Sequence, residues 1–453
     1  MTITEATINE IEKTTMKLFV RPQKRPLRGT ITVPGDKSIS HRAIMLAALA
    51  EGTSLIRDWL PAGDTIATLE AFQALGVPIH IDKKSPQAWD LQIEGRGLHG
   101  LQPTAAPLDC RNAGTGMRLL AGILAGQSFA SVLDGSSQLR KRPMRRITDP
   151  LSQMGASIRA TEGNAPLYIE PAPLQAVDFE MKVASAQVKS ALLLAGLYAN
   201  GPTRVYQPGP ARDHTERMLQ AMGVTITTEG NWVTMQPPTA PLRPLDLTVP
   251  GDISSAAFPL VAAAIVPHSE ITITNVGYNE TRTGLLDALQ AMGATIRVTD
   301  ERVMGGETAV SLTIHFSELH PTTVSGDTVV RGIDEFPIWA IAATQAAGDS
   351  HVTDAAELRV KEVDRISVLA GELRKLGATI SEQPDGFTVH GPSRLYSAEV
   401  DSHDDHRLAM SLAIAGLVTH GLTMVHDARC AADSFPGFVA TMQQLGADMA
   451  WLE

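Results

Sequence analysis

Ala74-Leu75-Gly76-Val77 closes a stretch of mixed polar and apolar residues, and the same hydrophobic-glycine ending returns five more times. It stands as Gln153-Met154-Gly155-Ala156, Ala221-Met222-Gly223-Val224, Ala291-Met292-Gly293-Ala294, Lys375-Leu376-Gly377-Ala378 and Gln444-Leu445-Gly446-Ala447. Successive glycines are 79, 68, 70, 84 and 69 residues apart. A glycine just past an amphipathic helix is the expected left-handed cap, and the Thr, Ser and Ile residues that often follow favour a strand. The spacing exceeds the period of about 20–50 residues typical of solenoids, so compact units are expected rather than an open array.

Upstream of each copy lies a second helical stretch, opened by polar residues and running into Ala/Leu-rich sequence, as in Ser40-His41-Arg42-Ala43-Ile44-Met45-Leu46. The others begin near Asn112, Gln187, Ser254, Asp334 and Asp405. A helix apolar nearly all round is buried, whereas the later helix of each unit carries charges and should face solvent. Each unit therefore reads as strands with one central and one peripheral helix. Six units in 453 residues predict two domains of three.

Val33-Pro34-Gly35-Asp36 and Val249-Pro250-Gly251-Asp252 stand about half a chain apart, the second after proline-rich sequence. They read as paired crossovers between domains, or as ordinary Pro-Gly turns. The expected organisation is one domain over 35–250, a second over 17–34 plus 251–453, and a loosely ordered N-terminal extension over 1–16.

Lys and Arg number 38 against 49 Asp and Glu, a net charge of −11, so an anionic ligand must meet a local basic cluster. Aromatic residues are 4% of the chain, too few for a base-stacking platform. The two cysteines, Cys110 and Cys430, suit neither a disulfide framework nor a Cys-rich zinc site. They fit a reducing compartment. The first 16 residues lack the apolar core of a signal peptide and no long apolar run appears, so a cytoplasmic location is expected.

Cationic and small polar residues gather where the central helices start: Lys37, Ser38 and Arg42; Asn112, Thr115 and Arg118; Ser185, Gln187 and Lys189; His406 and Arg407. One such residue is usually a cap, but cations are disfavoured at that end, so their repetition calls for an anionic partner. Arg140-Lys141-Arg142-Pro143-Met144-Arg145-Arg146 adds charge; Arg140, Arg145 and Arg146 read equally as solvated, while Pro143 would help to aim Arg142. Lys361 and Arg365 are expected at i, i+4 on one helix face with Glu362 beside them. His403-Asp404-Asp405-His406-Arg407 looks metal-like, but Arg407 would repel a divalent ion, so no metal is expected. No Gly-rich nucleotide loop and no Gly-x-Ser-x-Gly elbow is present.

From about Leu18 onward these motifs resemble the 5-enolpyruvylshikimate-3-phosphate synthase family. The resemblance rests on Gly35-Asp36-Lys37-Ser38, Asn112-Ala113-Gly114-Thr115-Gly116-Met117-Arg118, Lys141-Arg142-Pro143, Arg359-Val360-Lys361-Glu362-Val363-Asp364-Arg365 and Asp405-His406-Arg407. Ser185-Ala186-Gln187-Val188-Lys189, Arg212-Asp213-His214-Thr215-Glu216 and Asn279-Glu280-Thr281-Arg282 are similar to the family's second class, known for glyphosate-tolerant members.

The resemblance implies an α/β fold of two similar domains, each of three βαβαββ repeats in an inside-out barrel, closing over the substrates. It implies transfer of the enolpyruvyl group of phosphoenolpyruvate to the 5-hydroxyl of shikimate 3-phosphate, releasing phosphate, with no cofactor. Shikimate 3-phosphate would be held by Lys37, Ser38, Arg42, Ser185, Gln187, Arg212, Asp334 and Lys361. Phosphoenolpyruvate would meet Lys37, Gly114, Arg142, Gln187, Arg365, His406 and Arg407. Asp334 would be the base and Glu362 the proton donor, with Lys37 stabilising charge; a carboxylate among cations needs local tuning or a proton delivered with substrate to serve as donor.

Arg111 stands where the family usually has glycine, and either reshapes the adjacent loop or points to solvent. Asp433 stands where first-class members usually have lysine, so that contact is not carried over. Gly114 leaves room for glyphosate as a competitive inhibitor. A monomer is expected. The sister transferase acting on UDP-N-acetylglucosamine usually carries a cysteine that Ser136-Ser137-Gln138-Leu139 lacks. A noncatalytic metabolite-binding module is the other rival, against which Asp334 and Glu362 argue.

Overall fold

All six repeat glycines adopt positive φ in the computed structural model: Gly76 84°, Gly155 92°, Gly223 100°, Gly293 91°, Gly377 90° and Gly446 93°. Each follows a peripheral helix: Gly63–Ala74, Arg145–Gln153, His214–Ala221, Gly284–Ala291, Arg365–Lys375 and Phe438–Gln444. The amide after each glycine donates back across the helix end, as Val77 N to Phe72 O at 3.0 Å and Ala447 N to Met442 O at 3.0 Å. This Schellman closure satisfies carbonyls that the ended helix would leave bare, and it requires a residue tolerant of left-handed backbone. The chain then turns directly into a strand.

The structure describes residues 16–452, so an N-terminal extension over 1–16 falls, but for Met16, outside the described residues. Six four-stranded sheets are present among them, all of one pattern. In the second repeat, Leu108–Asp109 pairs parallel with Ser131–Asp134, which pairs antiparallel with Asn164–Glu170, itself antiparallel to Ser157–Thr161. With the helices Gly114–Leu124 and Arg145–Gln153 between them, the chain order is βαβαββ.

The central helices are Lys37–Leu49, Gly114–Leu124, Ala186–Gly196, Ile253–Ile265, Phe336–Thr344 and His406–Gly416. Every residue of Ile253–Ile265, Phe336–Thr344 and His406–Gly416 is buried, as an all-round apolar sequence demands. A short helix, Gly326–Gly332, precedes the fifth central helix and had no signal in the repeat pattern.

The chain divides into two compact units. One comprises 34–250 with 303–308; the other comprises the remaining described residues. Each has its own apolar core, with Trp59, Phe72 and Leu133 in the first and Trp339, Phe258 and Phe387 in the second. The repeats are permuted at the crossings. The first repeat takes its parallel edge strand from Asp246–Thr248, at the end of its unit, paired with Glu51–Trp59. The fourth takes Arg28–Thr32, paired with Glu270–Gly277. The sixth takes Lys17–Val20, between Thr423–His426 and Met449–Leu452.

The two Val-Pro-Gly-Asp copies are structural equivalents. Asp36 caps the Lys37 helix by accepting from Ile39 N at 2.9 Å, and Asp252 caps the Ile253 helix by accepting from Ser254 N at 2.8 Å. A Cβ on Gly35 would lie 2.4 Å from Asp58 O, and one on Gly251 3.0 Å from Asn275 O, so both glycines are set by close backbone approach.

Candidate active site

In the 34–250 unit the Asp36 cap places Lys37 in the first helical turn, its Nζ 3.1 Å from Asp64 Oδ2. Ser38 follows, half-buried. Arg42, one turn further, is buried: Nε donates to Thr215 Oγ1 at 2.7 Å, Nη1 to Ser38 O at 2.9 Å and Nη2 to Ser190 Oγ at 2.8 Å. Burial pushes its guanidinium from the ordinary 12.5 down to about 10, with nearby Glu216 opposing, and it stays charged at neutral pH.

Gly114 opens its helix bare for a steric reason. A Cβ there would lie 2.7 Å from Arg142 Nη1 and 3.2 Å from Arg118 Nη1, so the missing side chain makes room for two guanidinium groups. Arg118 Nη1 donates to Gln187 Oε1 at 2.7 Å and Gln187 Nε2 donates to Thr115 Oγ1 at 2.9 Å, which fixes the Gln187 amide. Ser185 is the cap of the Ala186–Gly196 helix. Arg212 is half-buried, just before the His214–Ala221 helix.

Other basic positions are structural. Lys189 is fully buried, its Nζ 2.5 Å from Glu216 Oε1 and donating to Gln207 Oε1 and Ala211 O, so it does not join an open anion site. Exposed Arg140 pairs with Asp134. Arg111 adopts φ +49° and sends its guanidinium to Glu70 at 2.5 Å on the surface, which settles its direction outward.

The second unit carries a carboxylate-rich group around Arg365. This buried guanidinium donates from Nε to Asp405 Oδ2 at 2.8 Å and from Nη2 to Glu362 Oε2 at 2.7 Å, with Nη1 3.4 Å from Asp334 Oδ1. Lys361 Nζ is 3.1 Å from the same Asp334 oxygen. Burial opposes the charge on Arg365, yet Asp405, Glu362 and Asp334 together hold it above the ordinary guanidinium value. Buried His406 and Arg407 open the next helix, with Arg407 Nη1 3.5 Å from Glu335 Oε1.

One sequence expectation is corrected here. Lys361 and Arg365 do not share a helix face: Asp364 accepts from Ile366 N and Ser367 N, so the helix starts at Arg365 while Lys361 and Glu362 lie in the turn before it. The run from His403 to Arg407 disperses. His403 and Asp404 both adopt positive φ, His403 Nε2 meets Glu372 Oε1 at 2.9 Å, and Asp405 turns the other way to Arg365. Among the described residues no three His, Cys, Asp or Glu side chains converge as a metal site.

Sequence reasoning assigned no role to Asp64, Asp405 or Glu335. For Asp405 a signal existed, since an acidic residue immediately before a helix is a cap, and this cap also holds Arg365.

The model for EPSP synthase (3-phosphoshikimate 1-carboxyvinyltransferase) matches residues 21–442. The chain belongs to the EPSP synthase family. A family relative from Geobacter sulfurreducens, named 3-phosphoshikimate 1-carboxyvinyltransferase, is 49% identical over 423 residues, 93% of this chain and 97% of that one. The solved EPSP synthase of Acinetobacter baumannii superposes with a TM-score of 0.86 at 42% identity, over 97% of this chain and all of the other. The enolpyruvyl transferase NikO from Streptomyces tendae, at 19% identity, superposes with a TM-score of 0.78 over 97% and 99% of the chains and shares the fold. The EPSP synthase repeats described above are thus common to this fold beyond the reach of close sequence identity.

Proposed function

We propose that the chain transfers the enolpyruvyl group of phosphoenolpyruvate to the 5-hydroxyl of shikimate 3-phosphate by addition and elimination, releasing phosphate. The observation that carries this reading is the grouping of Asp334, Glu362 and Lys361 about the buried Arg365, in a chain of the EPSP synthase family. Shikimate 3-phosphate is assigned to Lys37, Ser38, Arg42, Ser185, Gln187, Arg212, Asp334 and Lys361. Phosphoenolpyruvate is assigned to Lys37, Gly114, Arg142, Gln187, Arg365, His406 and Arg407.

Asp334 takes the proton from the 5-hydroxyl, whose oxygen bonds to the central carbon of phosphoenolpyruvate as Glu362 protonates the methylene carbon. Phosphate then leaves as that carbon returns a proton, restoring the double bond. Lys37 and the arginines stabilise charge at the reacting groups. Glu362 accepts from Arg365, so its donor role requires that the substrate carboxylate draw Arg365 away and that a proton take its place. Glu362→Gln should abolish phosphate release while shikimate 3-phosphate binding survives; loss of binding would make Glu362 structural and overturn its role.

Three stretches support membership of the second class: Ser185–Lys189 and Arg212–Glu216 contribute the buried Lys189–Glu216 pair, and Asn279–Arg282 the Arg282–Asp252 pair. Glyphosate is a competitive inhibitor against phosphoenolpyruvate, supported by the bare Gly114. The chain is a monomer, which light scattering after size exclusion tests. Two buried, unpaired cysteines support a reducing, cytoplasmic setting. Among the described residues no helix is long and apolar enough to cross a membrane.

A further inference from the structure

Glu335 lies outside every group assigned above, yet it is a carboxylate exposed by only 1%. Its backbone is fixed where the Phe336–Thr344 helix begins: its N donates to Gly332 O at 3.0 Å and its carbonyl accepts from Trp339 N at 2.9 Å. One oxygen, Oε1, accepts from Ser254 Oγ. Ser254 in turn accepts from Arg282 Nη2 at 2.8 Å, and the same Arg282 nitrogen lies 3.1 Å from Asp252 Oδ1. The chain of contacts is buried throughout.

On its far side Glu335 Oε1 faces Arg407 Nη1 at 3.5 Å, close enough for strong attraction but beyond a good hydrogen bond. The other oxygen, Oε2, is buried and has no hydrogen-bond partner among the described residues. Arg407 is itself a cation in the first turn of a helix, where the dipole repels it. A buried carboxylate half-satisfied beside a buried arginine is costly unless the pair does something.

We infer that Glu335 is a positioning residue for Arg407, holding its guanidinium in the orientation that receives the carboxylate or phosphate of phosphoenolpyruvate. Anchored through Ser254 to Arg282 and Asp252, Glu335 supplies the fixed end against which Arg407 is aimed. The inference rests on the assignment of Arg407 to phosphoenolpyruvate above.

The test measures phosphate release with each substrate varied in turn, for the wild-type chain, Glu335→Ala, Glu335→Gln, Arg407→Lys and the Glu335→Ala/Arg407→Lys double variant, with thermal unfolding alongside. Glu335→Ala should raise KM for phosphoenolpyruvate about tenfold or more, since it leaves a buried arginine without its partner. KM for shikimate 3-phosphate should stay within about twofold, the split that separates loss of one binding contact from general damage. Glu335→Gln keeps an amide oxygen for Ser254 and Arg407 and should recover part of the loss. In the double variant the two effects should be less than additive, because both act through one guanidinium. Unchanged KM for phosphoenolpyruvate in a folded variant, equal rises in both KM values, or full additivity would each overturn the inference. If Glu335→Ala fails to fold, Glu335→Gln decides on the same criteria. Absence of phosphate release by the wild-type chain would instead overturn the proposed function, and this inference with it.

Discussion

Asp405 performs two tasks with one carboxylate: Oδ1 accepts from Arg407 N at 2.9 Å and caps a helix, while Oδ2 accepts from Arg365 Nε at 2.8 Å. The side chain is wholly buried. Helix start and arginine placement are thereby coupled, and neither can shift without the other.

Asp405→Ala removes the cap and leaves Arg365 without its closest carboxylate. Breaking a buried pair from one side costs about 3–5 kcal/mol, and the lost cap about 1 kcal/mol. Thermal unfolding should fall accordingly and phosphoenolpyruvate turnover should drop sharply. A variant as stable as wild type would show that Glu362 and Asp334 suffice for Arg365.

Gly114→Ala places a methyl 2.7 Å from Arg142 Nη1, inside any permitted contact, so the guanidinium must move. KM for phosphoenolpyruvate should rise, and inhibition by glyphosate should weaken with it, while KM for shikimate 3-phosphate holds. Unaltered KM for phosphoenolpyruvate would place Arg142 elsewhere than at that substrate.

His41 is buried against Thr68, with Nδ1 2.7 Å from the threonine hydroxyl, and burial pushes its imidazole from the ordinary 6.5 down to about 3. Between those values the unfolded chain binds a proton that the folded chain refuses, so stability falls as the pH is lowered through that window. The slope from this one group approaches about 1.4 kcal/mol per pH unit. Denaturant titrations from pH 7 to pH 4 should show it, and His41→Gln should flatten it.

Cys110 and Cys430 are both buried, and burial pushes the Cys110 thiol up to about 12 and the Cys430 thiol well above its ordinary value. Thiolate is the reactive form. Ellman's reagent should therefore label neither in the native enzyme and both after denaturation; rapid native labelling of either would contradict the packing.

Arg111→Gly exchanges a side chain held at φ +49° for a residue that adopts that backbone freely. The surface pair with Glu70 that is lost contributes at most about 1 kcal/mol. Both KM values should be unchanged, because the guanidinium is held by Glu70 on the surface. A rise for phosphoenolpyruvate alone would mean that Arg111 governs the loop.

The fold was legible because six glycines mark six helix ends, and a left-handed cap is a local requirement that sequence spells directly. The cations at helix starts were legible for the same reason, their dipole penalty being local. Lys361 was misplaced because i, i+4 spacing assumes one continuous helix, whereas the Asp364 cap starts the helix only at Arg365. Lys189 looked like its neighbours Ser185 and Gln187, but its partner Glu216 lies on another helix, at a separation no short-range pattern encodes. Glu335 gave no signal, since its meaning comes from Ser254 and Arg407, far from it along the chain.

The strand Lys17–Val20 is an interior member of the last sheet, flanked on both sides by strands beyond residue 422. On the ribosome it emerges long before Thr423–His426 and Met449–Leu452, and it must wait for both before its neighbours exist. The other unit waits far less, since beyond 34–250 it needs only residues 303–308, which bring Glu307 to His214. Synthesis thus imposes an order of assembly in which the segment made early is placed late, and shortening the amino terminus past Val20 would open the middle of a sheet rather than trim its edge.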